Sequence, residues 1–200
     1  MVTANTSATP DEVILRVLQE AEARGGRQIY RTALVKLVYL VDYIYAEHTG
    51  HTLTGLDYIW DDHGPNARGN EIVKRADRLE SPQRKIEIDK GVTPSGNPKW
   101  SYRVREGVAT LPLKDELGER IVRDVIATHG NLNWSDIVKA SKSTRPVLRS
   151  KPGDPLDLAP DADKLKRLAR LTAMFGQRDY DTKRAGIPLR ELKRKYGLPA

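Results

Sequence analysis

Hydrophobic residues recur at three- and four-residue spacing in several stretches of this chain and alternate with charged ones in another. Val13, Ile14, Val17, Leu18 and Ala21 predict a first helix. Thr9 caps it, Pro10 takes its first position, Asp11 and Glu12 sit at the positive end of its dipole, and Gly25-Gly26 ends it. Leu34, Leu37, Val38, Val41, Ile44 and Tyr45 predict a second, more deeply buried helix over 31–48, stopped at Thr49-Gly50. A third is expected from about Asn66 to Leu79, opening after Gly64-Pro65 and closing before Ser81-Pro82. Leu117, Ile121 and Val125 place a helix over 114–128, and a shorter one follows at 134–141 beyond Gly130-Asn131.

The period changes between 84 and 105. Arg84-Lys85-Ile86-Glu87-Ile88-Asp89 alternates, as does Trp100-Ser101-Tyr102-Arg103-Val104-Arg105, with the turn-rich Gly91 to Pro98 between them. That is the pattern of a β-hairpin with one face inward. Residues 50–65 read as irregular or partly extended, and Arg145 to Pro160, with four prolines, reads as a wrapping loop. Asp161 then caps a helix carrying Leu165, Leu168, Leu171 and Met174, and residues 188–196 form a short basic helix. The fold class expected is mainly α (α+β): a compact helical domain with one small β-hairpin and a basic C-terminal helical extension.

Charge divides the chain in the same place. Residues 1–161 hold 23 basic and 23 acidic side chains, and the last 39 residues hold 11 basic and four acidic, so they carry the whole net charge of +7. Two parts are expected, a neutral body over 1–161 and a basic extension over 162–200. With 38% hydrophobic residues the body can build a core. No apolar run reaches the roughly 18–20 residues that span a bilayer. Asp42 interrupts the longest, Leu37 to Tyr45. The opening MVTANTSATP lacks the basic and apolar regions of a signal peptide. Without cysteine there are no disulfides, thiolate metal sites or cysteine nucleophile. A cytoplasmic protein without a cofactor is the simplest expectation.

Candidate chemistry is sparse. His48, His51, Asp61, Asp62 and His63 lie close in sequence, but His48 and His51 straddle Gly50 and Asp62-His63 adjoins a turn. Metal ligands on one helix need regular spacing, so a polar connecting loop is the better reading. Gly91 to Pro98 lacks the lysine and following helix of a phosphate loop, and no serine has the G-x-S-x-G context of a nucleophile. No catalytic residue is expected. Asp42, in an apolar helix, reads as a buried carboxylate paired with a cation or a backbone donor rather than aimed at a partner. Lys36, six residues earlier, is not its obvious mate. Tyr58 and Trp60 share a parity. Trp60 packs on the second helix or, with Tyr58, Asp62, His63 and Arg68, offers the residue types enriched at interface hot spots.

Several features occur in one order: Lys36-Leu37-Val38-Tyr39-Leu40-Val41-Asp42, then Gly50-His51-Thr52-Leu53-Thr54-Gly55, His63-Gly64-Pro65, a hairpin, a helix ending at Gly130, and Trp134-Ser135-Asp136-Ile137-Val138. This arrangement resembles the Panacea domain family, also described as SocA-like antitoxin domains, with its K-L-x-Y-x-x-D helix, G-x-x-L-T-G turn and G-P. The likeness covers roughly residues 10–158. It implies a compact helical domain with a small β element. It also implies a bacterial or phage antitoxin that neutralises a cognate toxin by direct protein contact, with no catalytic residues. One branch of that family acts instead as an adaptor delivering its toxin to a protease.

The basic extension lies outside the likeness. Arg190, Lys193, Arg194 and Tyr196, on an amphipathic pattern, suit docking into a partner's groove. Contact with nucleic acid through the same residues, a solvated end, and self-association stay open. The rival readings of the whole chain are a DNA-binding autorepressor, using the helix at 134–141, and a metal-dependent hydrolase.

Overall fold

A computed structural model of the chain describes residues 8–25, 28–81, 83–93, 95–161 and 163. The described elements are α1 (Pro10–Ala23), β1 (Ile29–Tyr30), α2 (Arg31–Thr49), β2 (Tyr58–Asp61), β3 (Gly64–Ala67), α3 (Glu71–Glu80), β4 (Ile86–Val92), β5 (Pro98–Val104), α4 (Glu116–His129), α5 (Trp134–Lys142), α6 (Arg145–Leu148) and β6 (Pro155–Leu156). They belong to the unit Met1–Ala159.

The centre of this unit is α2. Every residue from Leu34 to Asp42 is buried, because helices α1, α3, α4 and α5 and strands β1, β3 and β5 all pack against it. Its apolar side chains form one core with Val13, Ile14, Val17 and Leu18 of α1 and Ile121, Val122 and Val125 of α4. Local signals set the ends. Thr9 Oγ1 accepts from the Glu12 N–H at 3.3 Å, the cap expected for α1, and the Glu12 carboxylate takes the Thr9 N–H at 2.8 Å in return. Gly50, at φ 85°, closes α2 and donates to the Ala46 carbonyl.

Helices α1 and α4 are also joined by buried charge. The Arg16 guanidinium bonds Glu119 at 2.9 and 2.8 Å and Glu20 at 2.7 Å, and Glu119 further accepts the Leu113 N–H at 3.0 Å. Burial alone would raise the Glu119 pKa. The hydrogen bonds of Arg16 and Leu113, with the charges of Arg16 and Arg123, bring it below the ordinary value instead. A paired ion of this kind is tolerated inside a protein because its partners replace water.

Two small antiparallel sheets complete the body, in orders β1-β5-β4 and β3-β2-β6. The first contains the hairpin the alternation predicted, in register from Ile86 opposite Val104 to Val92 opposite Pro98. Ile86 and Tyr102 of its inner face are buried. The mainly helical α+β class holds, and the second sheet adds to it. Residues 50–65, expected to be partly extended, supply β2. Its partner β3 begins at Gly64-Pro65, which therefore starts a strand and not the helix expected from Asn66. A single 3-10 turn, Arg68–Asn70, follows, and Gly69 and Asn70 both have positive φ, so α3 cannot begin before Glu71. The proline-rich stretch after Arg145, expected as loop, contains the helical turn α6 with Pro146 in its first turn, and the strand β6 against β2. The helices expected beyond residue 161 lie outside the described residues.

One contact tests this packing. Gly118 of α4 lies under Leu53, whose methyl carbons would stand 2.9 and 3.0 Å from an added Cβ. Leu53 is fully buried, so its methyl groups can shift only against packed neighbours. Alanine gains about 1 kcal/mol in helix propensity over glycine, but overpacking costs about 1–3 kcal/mol. Gly118→Ala is therefore expected to destabilise the protein by about 1 kcal/mol in urea unfolding. A stabilised variant would show that α4 packs differently.

Candidate partner-binding surface

The K-L-x-Y-x-x-D segment of α2 puts three polar side chains, Lys36, Tyr39 and Asp42, into the interior, and each reaches a different segment. Lys36 Nζ donates to the Pro65 carbonyl in β3 at 2.7 Å. Burial lowers its pKa to about 8. The nearby charge of Asp61 acts against that fall and Lys142 adds to it. The Tyr39 hydroxyl shares a 2.6 Å hydrogen bond with Thr144 Oγ1 between α5 and α6. Asp42 is fully buried and accepts from the Thr54 N–H at 3.0 Å, from the Thr54 hydroxyl, and from the Tyr58 hydroxyl at 2.7 Å. Its partners are donors of the backbone and of neutral side chains. Burial raises the Asp42 pKa to about 6 against the pull of the Thr54 and Tyr58 hydrogen bonds. The ring of Tyr39 meets that of Tyr58 edge-on at 5.2 Å. One helical stripe thus pins the loop 50–57, the β2–β3 hairpin and the end of α5 to the core.

What these pins hold outward is a small exposed surface. The two-residue turn Asp62-His63 joins β2 to β3, and both residues are exposed. The Asp61 carboxylate braces it, accepting the Asp62 N–H at 2.8 Å and the Asn66 amide at 3.0 Å. Gly64 follows at φ 90°, and an added Cβ would stand 3.0 Å from Lys142 Cγ. Only glycine meets both demands there, the left-handed backbone and the stem of Lys142 crossing it. That stem carries Lys142 Nζ to the Asp62 carbonyl at 3.3 Å. Beside it the His63 ring meets Trp134 edge-on at 5.9 Å, and Trp134 is 57% exposed. Helix α5 is opened by Asn133, whose side chain accepts the Asp136 N–H at 2.9 Å. The hairpin turn and the two ends of α5 therefore present Asp62, His63, Trp134 and Lys142.

The sequence-derived contact residues fare unequally. Asp62 and His63 lie on this surface. Arg68 is exposed in the 3-10 turn, its N–H on the Asp57 carbonyl at 2.8 Å. Trp60 is half-buried against the core, as one of its two readings had it. Tyr58 needs correction: it is 2% exposed, because the parity it shares with Trp60 turns it toward Asp42, and it cannot touch a partner. Arg190, Lys193, Arg194 and Tyr196 lie outside the described residues. Asp61, Asp62 and the histidines do not converge. His51 meets Tyr45 edge-on at 5.7 Å while His63 faces Trp134, and among the described residues no three His, Asp or Glu side chains are grouped as metal ligands. Sequence reasoning missed Trp134 and Lys142 as parts of this surface. Trp134 shares a helical stripe with Ile137 and Val138, which are buried, and its exposure comes from its place at the helix end.

Fold and surface together define an α+β domain organised around one buried helix with a polar stripe. The family described as "Antitoxin SocA-like, Panacea domain" matches residues 34–146, more than half of the chain, and the chain belongs to that family. The match runs from the start of the buried part of α2 to α6 and includes the whole exposed surface. No curated protein and no solved structure matches the chain. Among the described residues no helix is long and apolar enough to cross a membrane.

Proposed function

We propose that the chain is an antitoxin that neutralises a cognate toxin by binding it directly, acting as a non-enzymatic partner. The family match carries this reading. The surface of Asp62, His63, Trp134 and Lys142 supports its location. A tryptophan more than half exposed, held by a neighbouring ring and rimmed by one acid and one base, is the kind of rigid anchor on which interface energy concentrates. The basic extension adds a second contact in this reading, docking its cations on an acidic part of the toxin.

Co-expression with the reading frame next to this gene tests the proposal. The neighbouring product is expected to arrest growth alone and to be harmless when this chain is present, with the two co-purifying. A neighbour that is harmless alone, or toxic whether or not this chain is present, would remove the antitoxin reading.

A further inference from the structure

The β4–β5 hairpin leaves β4 at the edge of its sheet, paired with β5 only. Neighbouring bonds show which way its free backbone groups point. The Arg105 N–H donates to the Lys85 carbonyl at 3.0 Å, while the Val104 N–H turns away from β4 to the Glu22 carboxylate at 2.6 Å. Bonded and non-bonded pairs alternate along an antiparallel ladder. Ile86, Ile88, Lys90 and Val92 therefore aim their N–H and C=O groups out of the sheet, and none of the described residues bonds them. At about 3.4 Å per residue, this stretch offers an open edge of about 20 Å.

The exposed charge on the strand and at its start is mainly basic, with Asp77 and Glu80 of α3 lying behind it near Tyr102. Arg84, Lys85 and Lys90 are exposed and form no ion pair among the described residues. Of the two acids on β4, Glu87 is held by Arg103 at 2.7 Å, which leaves Asp89. Val92, 71% exposed, adds an apolar contact on the face it shares with Trp100.

A second copy of the chain does not suit this edge. Antiparallel pairing of two β4 strands about a two-fold axis at residues 87 to 90 sets Glu87 against Glu87, Glu87 against Asp89, Asp89 against Asp89 or Lys90 against Lys90, like charges directly opposite being destabilising, and an axis at Gly91 overlaps only Lys90 to Val92 of the strand. We propose that the β4 edge takes an extended acidic segment of another protein as an added strand. Its backbone pairs with Ile86, Ile88, Lys90 and Val92, and its carboxylates meet Arg84, Lys85 and Lys90. This site shares no residue with the surface of His63 and Trp134 and goes beyond the antitoxin reading.

The test is fluorescence anisotropy of the full chain with a labelled peptide, Thr-Glu-Val-Glu-Val-Glu-Thr, against the same peptide with lysine for glutamate. The acidic peptide is expected to bind, more weakly as salt rises, and the basic one not to bind. Lys90→Pro removes one outward N–H without touching the β5 ladder, and Lys90→Glu reverses a charge while keeping the strand. Each is expected to weaken binding about tenfold or more, and Trp134→Ala to leave it unchanged. Equal binding of the two peptides, or unchanged affinity in both Lys90 variants, would overturn the proposal.

Discussion

Asp42→Asn is expected to flatten a pH dependence of stability that the wild-type domain owes to one buried carboxyl. The Asp42 pKa rises from 3.8 when unfolded to about 6 when folded, because burial opposes its charge. For an acid whose folded value is raised, the stabilising contribution is complete below the unfolded value and is lost as pH rises through the folded one. At 1.36 kcal/mol per unit the loss between about pH 3.8 and about pH 6 is about 3 kcal/mol. Glu12, Glu20, Asp61, Glu71 and Glu119 are shifted the opposite way and mask this slope in the wild type alone. The difference between wild type and Asp42→Asn isolates it. Urea unfolding at several pH values should show the variant gaining on the wild type by about 3 kcal/mol from acid to neutral pH. A constant difference would mean that Asp42 keeps an ordinary pKa. Asp42→Ala, which leaves the Thr54 N–H and two hydroxyls facing no acceptor, is expected to cost about 2–4 kcal/mol more than Asp42→Asn.

Trp134→Ala is expected to have the larger effect on function and little on stability. The side chain is more than half exposed, so its removal should change unfolding free energy by no more than about 0.5 kcal/mol. Its loss from an interface should cost about 2–4 kcal/mol of binding, a weakening of toxin affinity by about thirty-fold to a thousand-fold. His63→Ala should cost less alone. The double variant should fall short of the sum, because the two rings brace each other at 5.9 Å. Titration calorimetry with the purified toxin measures all three. Unchanged affinity of Trp134→Ala would place the interface elsewhere.

Helices α1 to α5 and the β4–β5 hairpin were legible because each carries a period over six or more residues. The β2–β3 hairpin was not, since Gly64-Pro65-Asn66-Ala67 has no alternation of its own. It is a strand because β2 pairs with it and Lys36 holds its Pro65 carbonyl, and the first residue of that bond lies 29 positions away. The paired role of Asp42 could be read from its apolar neighbours, but not that Tyr58 would be one of its donors. Parity gave Tyr58 and Trp60 the same face without saying which way that face turned. Lys142 reaches the surface by crossing a glycine 78 positions earlier, a contact no local pattern announces.

Hydrogen–deuterium exchange of the purified complex reads out whether a toxin sits on the β2–β3 turn and α5. Exchange at residues 58–67 and 134–142 is expected to slow when toxin is bound. A complex whose protection spares both segments would contradict this placement of the toxin.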